Sequence, residues 1–267
     1  MNKVNPFLYQ NIDNSNHWII SEIILNQCKQ HPNNKIIQFV DGPEWSFDDL
    51  KNIAFEKAKI LRDLSIKQGD TVTVMVDDPI DFIPYWVASS FLGVMFVALN
   101  TALKGSVLLH QIRLANSNVI IVSDVYYEDV AQLVQENKSK IKVLNCSKLK
   151  STGMILEKDV YHGKISDEVC TMFTSGTSGP SKGVLMPNAH CVLFAVGTIE
   201  NYKLNHEHVF YISLPLFHAN GLFMQLLACI MVGSIAIIKS RFSASNWLND
   251  IRKYNVTHTN MLGAIAA

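Results

Sequence analysis

Short apolar runs rich in β-branched residues alternate along this chain with longer segments of helical period, and that alternation leaves few folds open. "TVTVMV" (71–76), "MFVAL" (95–99), "NVIIVSD" (118–124) and "KIKVLNC" (140–146) read as strands. Between them lie helical segments at 79–92, 105–116 and 126–137. Strands without a polar face must be covered on both sides, and parallel neighbours need a crossover helix to join them. The order therefore predicts an α/β chain with two mostly parallel sheets and helices packed on both faces.

The same reading extends in both directions. Residues 15–31 form a helix and "KIIQFV" (35–40) a strand. "SFDD" (46–49) is a capping box that opens a helix over 47–65. "EVCTMFTS" (168–175) and "GVLM" (183–186) are strands, followed by a helix over 188–200. Strand 208–215, helix 221–231, strand 234–239, helix 243–255 and strand 256–262 complete the pattern. Residues 148–167 lack periodicity and carry two glycines, Gly153 and Gly163, so a linker is expected there. The expected lobes are then 1–147, with the N-terminal helix and strand packing on the second lobe, and 168–267, incomplete at its C-terminus.

Two uncharged apolar runs, 82–99 and 209–238, have the length of a membrane span. Both are punctuated, by Pro84 and Gly93 in one and by Pro215, His218, Asn220, Gly221 and Gly233 in the other. A helix followed by a buried strand accounts for that punctuation better than a bilayer crossing. Lys plus Arg and Asp plus Glu both number 23, and no basic run occurs, which argues against nucleic acid as a partner. Five cysteines without a C-x-x-C pair, and no apolar leader, predict reduced thiols and a cytoplasmic protein.

The segment "CTMFTSGTSGPSKGVLMP" (170–187) carries the chemistry. Gly176, Gly179 and Gly183 let backbone approach a ligand closely. Successive N–H groups in such a loop make a nest for anions. The hydroxyls of Thr174, Ser175, Thr177 and Ser178 add donors, and Lys182 adds a full positive charge. A flexible surface loop rich in Ser and Gly is the plain alternative; the single lysine at the far end and the strands on both sides favour phosphate. The loop is not a Walker A sequence, because Ser181 stands where the second glycine belongs.

"TSGTSGPSKG" (174–183) resembles the signature loop of the adenylate-forming superfamily, whose usual form is T-S-G-T-T-G-x-P-K-G. That superfamily includes acyl- and aryl-CoA synthetases, nonribosomal-peptide adenylation domains and beetle luciferases. Here Ser178 replaces a common Thr, and Pro180-Ser181 replaces x-Pro. The stretches 64–103 and "SLPLFHANGL" (213–222) are also similar to that superfamily. Residues 241–264 resemble a subgroup of crotonobetaine/carnitine-CoA ligase-like acyl-CoA ligases.

The resemblance implies an ATP-dependent, AMP-forming acid:CoA ligase. It would join a carboxylate to the α-phosphorus of ATP, then pass the acyl group to coenzyme A. An anion must attack an anion, and two unit charges about 4 Å apart repel by roughly 4 kcal/mol at an effective dielectric of about 20. Mg²⁺ and fixed donors must offset that repulsion. The implied phosphate grip is Thr174, Ser175, Gly176, Thr177, Ser178, Gly179 and Lys182, with Thr177 at the Mg²⁺ and Lys182 catalytic. His218 is implied at the acyl pocket near the α-phosphate as a second catalytic residue, against the plain alternative of a histidine that caps a helix or is satisfied near the core. Phe217, Asn220, Gly221 and Met224 are candidates to line the same pocket. The superfamily's adenine and ribose contacts and its mobile C-terminal lysine would fall after residue 267, so the chain is expected to be an N-terminal part, inactive alone. An adenylation domain that loads a carrier protein and a non-catalytic nucleotide-binding fragment are the rival readings. Assembly into a homo-oligomer is left open.

Overall fold

The computed structural model describes residues 5–174 and 180–263. They form two compact units: Asn52–Pro187 is one, and the described residues before and after it are the other. Each is built on its own sheet with helices around it.

Along the chain, α1 (Ile20–Gln30) precedes the hairpin of β1 (Lys35–Phe39) and β2 (Glu44–Ser46). The expected capping box is present at the start of α2 (Phe47–Asp63): Asp49 N–H donates to Ser46 Oγ at 3.1 Å, while Ser46 N–H donates to Asp49 Oδ2 at 2.8 Å. The unit Asn52–Pro187 then follows a crossover pattern. β3 (Thr71–Met75), α3 (Pro79–Leu92), β4 (Met95–Ala98), α4 (Gly105–Ala115), β5 (Val119–Val122), α5 (Asp124–Glu136) and β6 (Lys142–Asn145) alternate without exception. β5 shows why: all four of its residues are buried, so it has no polar face to leave in water. Its neighbours β3 and β6 pair with it in parallel, Val72 opposite Val119 and Ile120 opposite Val143.

Helix α3 replaces the first suspected span. Asp78 Oδ1 accepts from Ile80 N–H at 2.9 Å, Pro79 sits in the first turn, and Gly93 ends the helix at φ +63°. The glycine is required twice over, since a Cβ there would lie 2.5 Å from the Tyr161 ring. Among the described residues no helix is long and apolar enough to cross a membrane.

The lobe boundary differs from the sequence expectation. β7 (Glu168–Phe173) pairs in parallel with β4, and β8 (Gly183–Pro187) pairs antiparallel with β7, giving a six-stranded order β6-β5-β3-β4-β7-β8. The strands flanking the glycine-rich loop thus belong to the earlier sheet, not to the later lobe. Residues 148–167 are correspondingly no free linker. They return across α2 and α3, burying Ile155 and Val160 and donating from Tyr161 N–H to Phe91 O at 2.7 Å. Arg62 fastens the segment through Asp159, with 3.3 Å between guanidinium and carboxylate.

In the other unit the sheet order is β11-β9-β10-β1-β2. It comprises β9 (Val209–Ile212), β10 (Ile235–Ile238) and β11 (His258–Thr259), parallel to one another, with β1 parallel to β10. The N-terminal strand β1 thus joins this sheet through β10. Helix α6 (Asn188–Tyr202), the helical stretch before β10 and α8 (Ala244–Lys253) pack around it. The expected helix over 221–231 is π-helical from Asn220 to Leu227 before it tightens into α7 (Ala228–Val232). A polar cluster sits inside this unit: Asp250 accepts from Tyr211 Oη and from Lys239 Nζ, both at 2.9 Å. Burial and the neighbouring carboxylate push the Tyr211 phenol far up.

Candidate active site

The glycine-rich loop springs from the carboxyl end of β7, the end at which parallel α/β sheets hold their ligands. Its two ends are stapled. Phe173 pairs with Gly183 as the last rung of the hairpin, and beyond it Thr174 N–H donates to Lys182 O at 3.0 Å. Lys182 N–H donates in return to Thr174 Oγ1 at 3.1 Å. Both side chains remain exposed, so the Lys182 ammonium is presented to solvent from a fixed backbone. Ser175, Gly176, Thr177, Ser178 and Gly179, five of the predicted phosphate contacts, lie outside the described residues.

Ser181 departs from its neighbours in being buried. Its Oγ accepts from Gln111 Nε2 at 2.8 Å, and its carbonyl oxygen lies 2.9 Å from His110 Nε2. A carbonyl can only accept, so His110 carries its proton on Nε2. Ser181 stands where the signature loop usually has proline, and its partners lie 70 and 71 residues away, outside any local pattern.

The second group of predicted residues lies in the other unit, again after the carboxyl end of a parallel strand, β9. A turn carries Pro215 to His218, with His218 N–H donating to Pro215 O at 3.1 Å and Leu222 N–H donating to His218 O at 3.1 Å. Gly221 is buried at the start of the π-helical stretch, where a Cβ would lie 2.8 Å from both Leu214 O and Pro215 O. Only glycine lets the helix back onto the turn that closely. The Phe217 and His218 rings lie 4.7 Å apart; Phe217 and Met224 are half-buried, while His218 reaches solvent. Crowding by protein around the His218 imidazole still lowers its pKa below the ordinary histidine value through desolvation. The ring is therefore neutral near pH 7, able to donate or accept one hydrogen bond without repelling a cation.

Asn220 proves to be braced. Its Oδ1 accepts from Gln225 Nε2 at 2.7 Å and from Asn260 Nδ2 at 3.0 Å. Gln225 is fully buried and its Oε1 has no partner among the described residues. Gln225 had a legible signal, being the lone polar residue in "LFMQLLACIMV" (222–232). Asn260 had none, since its link to Asn220 spans 40 residues. Among the described residues no group of three or more His, Cys, Asp or Glu side chains is arranged to hold a metal ion.

The model of the family described as AMP-binding enzyme matches this chain over residues 24–267, a range that includes both the two-strand clamp ending in Lys182 and the turn Pro215 to His218. The chain belongs to the AMP-binding enzyme family. Human long-chain fatty acid transport protein 6 is 25% identical over 256 residues, covering 90% of this chain and 41% of that protein. The 2-succinylbenzoate–CoA ligase of Oceanobacillus iheyensis is 27% identical, covering 90% of this chain and 48% of that ligase. Among solved structures, o-succinylbenzoate CoA synthetase from Bacillus subtilis with its acyl-adenylate intermediate matches with a TM-score of 0.82 at 22% identity. That match covers 91% of this chain and 62% of the other. It shows the fold of this chain, α/β with two mixed sheets. The chain spans about two fifths of the length of the curated relatives it matches first, 41% in each.

Proposed function

We propose that this AMP-binding enzyme supplies the phosphate loop and the acyl-side turn of an ATP-dependent, AMP-forming acid:CoA ligase. The observation that carries the reading is the Thr174–Lys182 staple, which fixes the base of a hydroxyl- and glycine-rich loop and leaves the ammonium free to meet a polyphosphate. Family membership and CoA-ligase relatives such as the O. iheyensis protein support it.

In this reading Lys182, Thr174 and the loop residues Ser175, Gly176, Thr177, Ser178 and Gly179 hold the β- and γ-phosphates of ATP. Mg²⁺ arrives with the nucleotide, and Thr177 supplies the chain's hydroxyl to it. The bound cation and the loop's donors offset the charge that would repel an incoming carboxylate. On the acyl side, Phe217, Met224 and the backbone at Gly221 face the body of an organic acid, and neutral His218 orients its carboxylate by one hydrogen bond. His218 has no proton to remove, because a carboxylate is already ionised at pH 7. Asn220 acts mainly by bracing that turn, since its oxygen is already taken by Gln225 and Asn260. Coenzyme A is the proposed acceptor. A betaine of the carnitine type would add a demand for aromatic faces, of which Phe217 offers one.

The test is acid-dependent exchange of labelled pyrophosphate into ATP, measured on the protein that carries this segment. Lys182→Ala is expected to cut exchange by at least about 100-fold, the scale seen when one charge-stabilising group is lost. Exchange and ATP affinity that survive this substitution intact would sink the proposal.

A further inference from the structure

The tie between α4 and Ser181 has no place in the reading above, and its energetics are peculiar. Gln111 is buried, 4% exposed, and its Oε1 has no partner among the described residues. A buried amide with one half unmet costs stability, and a leucine would fit the same apolar helix face, where Leu108 and Ile112 enter the core. What Gln111 does provide is a hydrogen bond to Ser181 Oγ, one residue before Lys182. Its neighbour His110 holds the carbonyl of the same residue. Ser181 is thereby fixed at both its side chain and its backbone from a helix anchored in the core, while the side chains of Thr174 and Lys182 stand in solvent. The serine occupies the position at which the signature loop usually has proline, a residue whose ring restricts φ by itself.

We propose that Gln111, His110 and Ser181 form a tether that replaces the stiffness of proline and presets the Lys182 end of the loop for the polyphosphate of ATP. All three are positioning residues and act through Lys182, so the inference rests on the phosphate-binding reading above. The tether removes loop conformations in which the Lys182 backbone swings away, so less order is lost when nucleotide binds.

The experiment measures ATP·Mg²⁺ affinity by calorimetry, thermal midpoint, and hydrogen exchange of the Thr174–Lys182 segment in the full chain without nucleotide. The set is wild type, Gln111→Leu, Ser181→Ala, the double variant, Ser181→Pro and Lys182→Ala. Gln111→Leu and Ser181→Ala are each expected to weaken ATP roughly 3- to 10-fold, the worth of one net hydrogen bond. The double variant should be no weaker than either single one, because both remove the same link. Exchange at Lys182 should rise in all three, the midpoint of Gln111→Leu should hold or increase, and Ser181→Pro should bind ATP within about 2-fold of wild type. Additive losses, unchanged exchange, or weakening that tracks a falling midpoint would overturn the tether and leave the phosphate grip standing. An ATP affinity indifferent to Lys182→Ala overturns the phosphate grip and the tether's purpose together, whatever the exchange data show.

Discussion

Replacing Gly221 by alanine adds one methyl group, yet the structure predicts a large effect. The new carbon would sit 2.8 Å from both Leu214 O and Pro215 O and 3.2 Å from the Pro215 carbonyl carbon. All three are backbone atoms, so no side-chain rotation relieves the contact. The turn and the helix must separate by a few tenths of an ångström in a region where Leu214, Leu216 and Leu222 are buried. Overpacking of this kind costs about 1–3 kcal/mol, and for a protein of this size each kcal/mol lowers the midpoint by roughly 2–4 °C. A drop of about 2–12 °C is expected in thermal denaturation followed by circular dichroism, on the same basis. Gly197, within α6, is the internal control: a Cβ there meets nothing within 4 Å. Gly197→Ala should therefore hold stability or raise it by up to about 1 kcal/mol through helix propensity. If the two variants melt together, the claim that Gly221 is dictated by close backbone approach is wrong.

Three other outcomes follow, from buried charge, titration and backbone conformation in turn. Asp250→Asn leaves the Lys239 ammonium without its partner at 17% exposure and should cost about 2 kcal/mol, discounted for the water that Lys239 can still reach. Adding Lys239→Met should recover most of that loss in urea denaturation, and a double variant as unstable as the single one would count against the assignment. Stability should also fall as pH drops below about 6.5, the ordinary histidine value. Desolvation lowers the folded-state pKa of His31, His218 and His258, with His208 adding to the effect at His258. The unfolded chain then binds protons first, so stability is present above the unfolded pKa and is lost as pH drops below it. Urea midpoints at pH 8 and pH 5.5 check the sign, and His31→Gln should flatten the difference. Finally, Gly93→Ala meets both a positive φ and the Tyr161 ring, so it should destabilise by more than Gly197→Ala, read in the same melts.

The sequence by itself determined most of the elements and raised the proposal of a phosphate loop. Continuous β-branched runs such as "VIIV" can only be buried strands, and Asp78-Pro79 and Gly93 mark the ends of α3 through caps that involve residues a few positions apart. The capping box at Ser46 and Asp49 is local in the same sense. Lys182 and the hydroxyls raise the expectation of an anion site by composition alone. Tertiary structure decided which sheet received β7 and β8, because a ladder to β4 involves residues more than 70 positions away, and no local propensity encodes that choice. It also decided that 148–167 packs back over α2 and α3, that Asn220 is braced by Gln225 and Asn260, and that Ser181 is held from α4. Hydrogen bonds across such separations exist only after the core has closed, which is why the chain's order announces the parts of the site while packing alone fixes their partners.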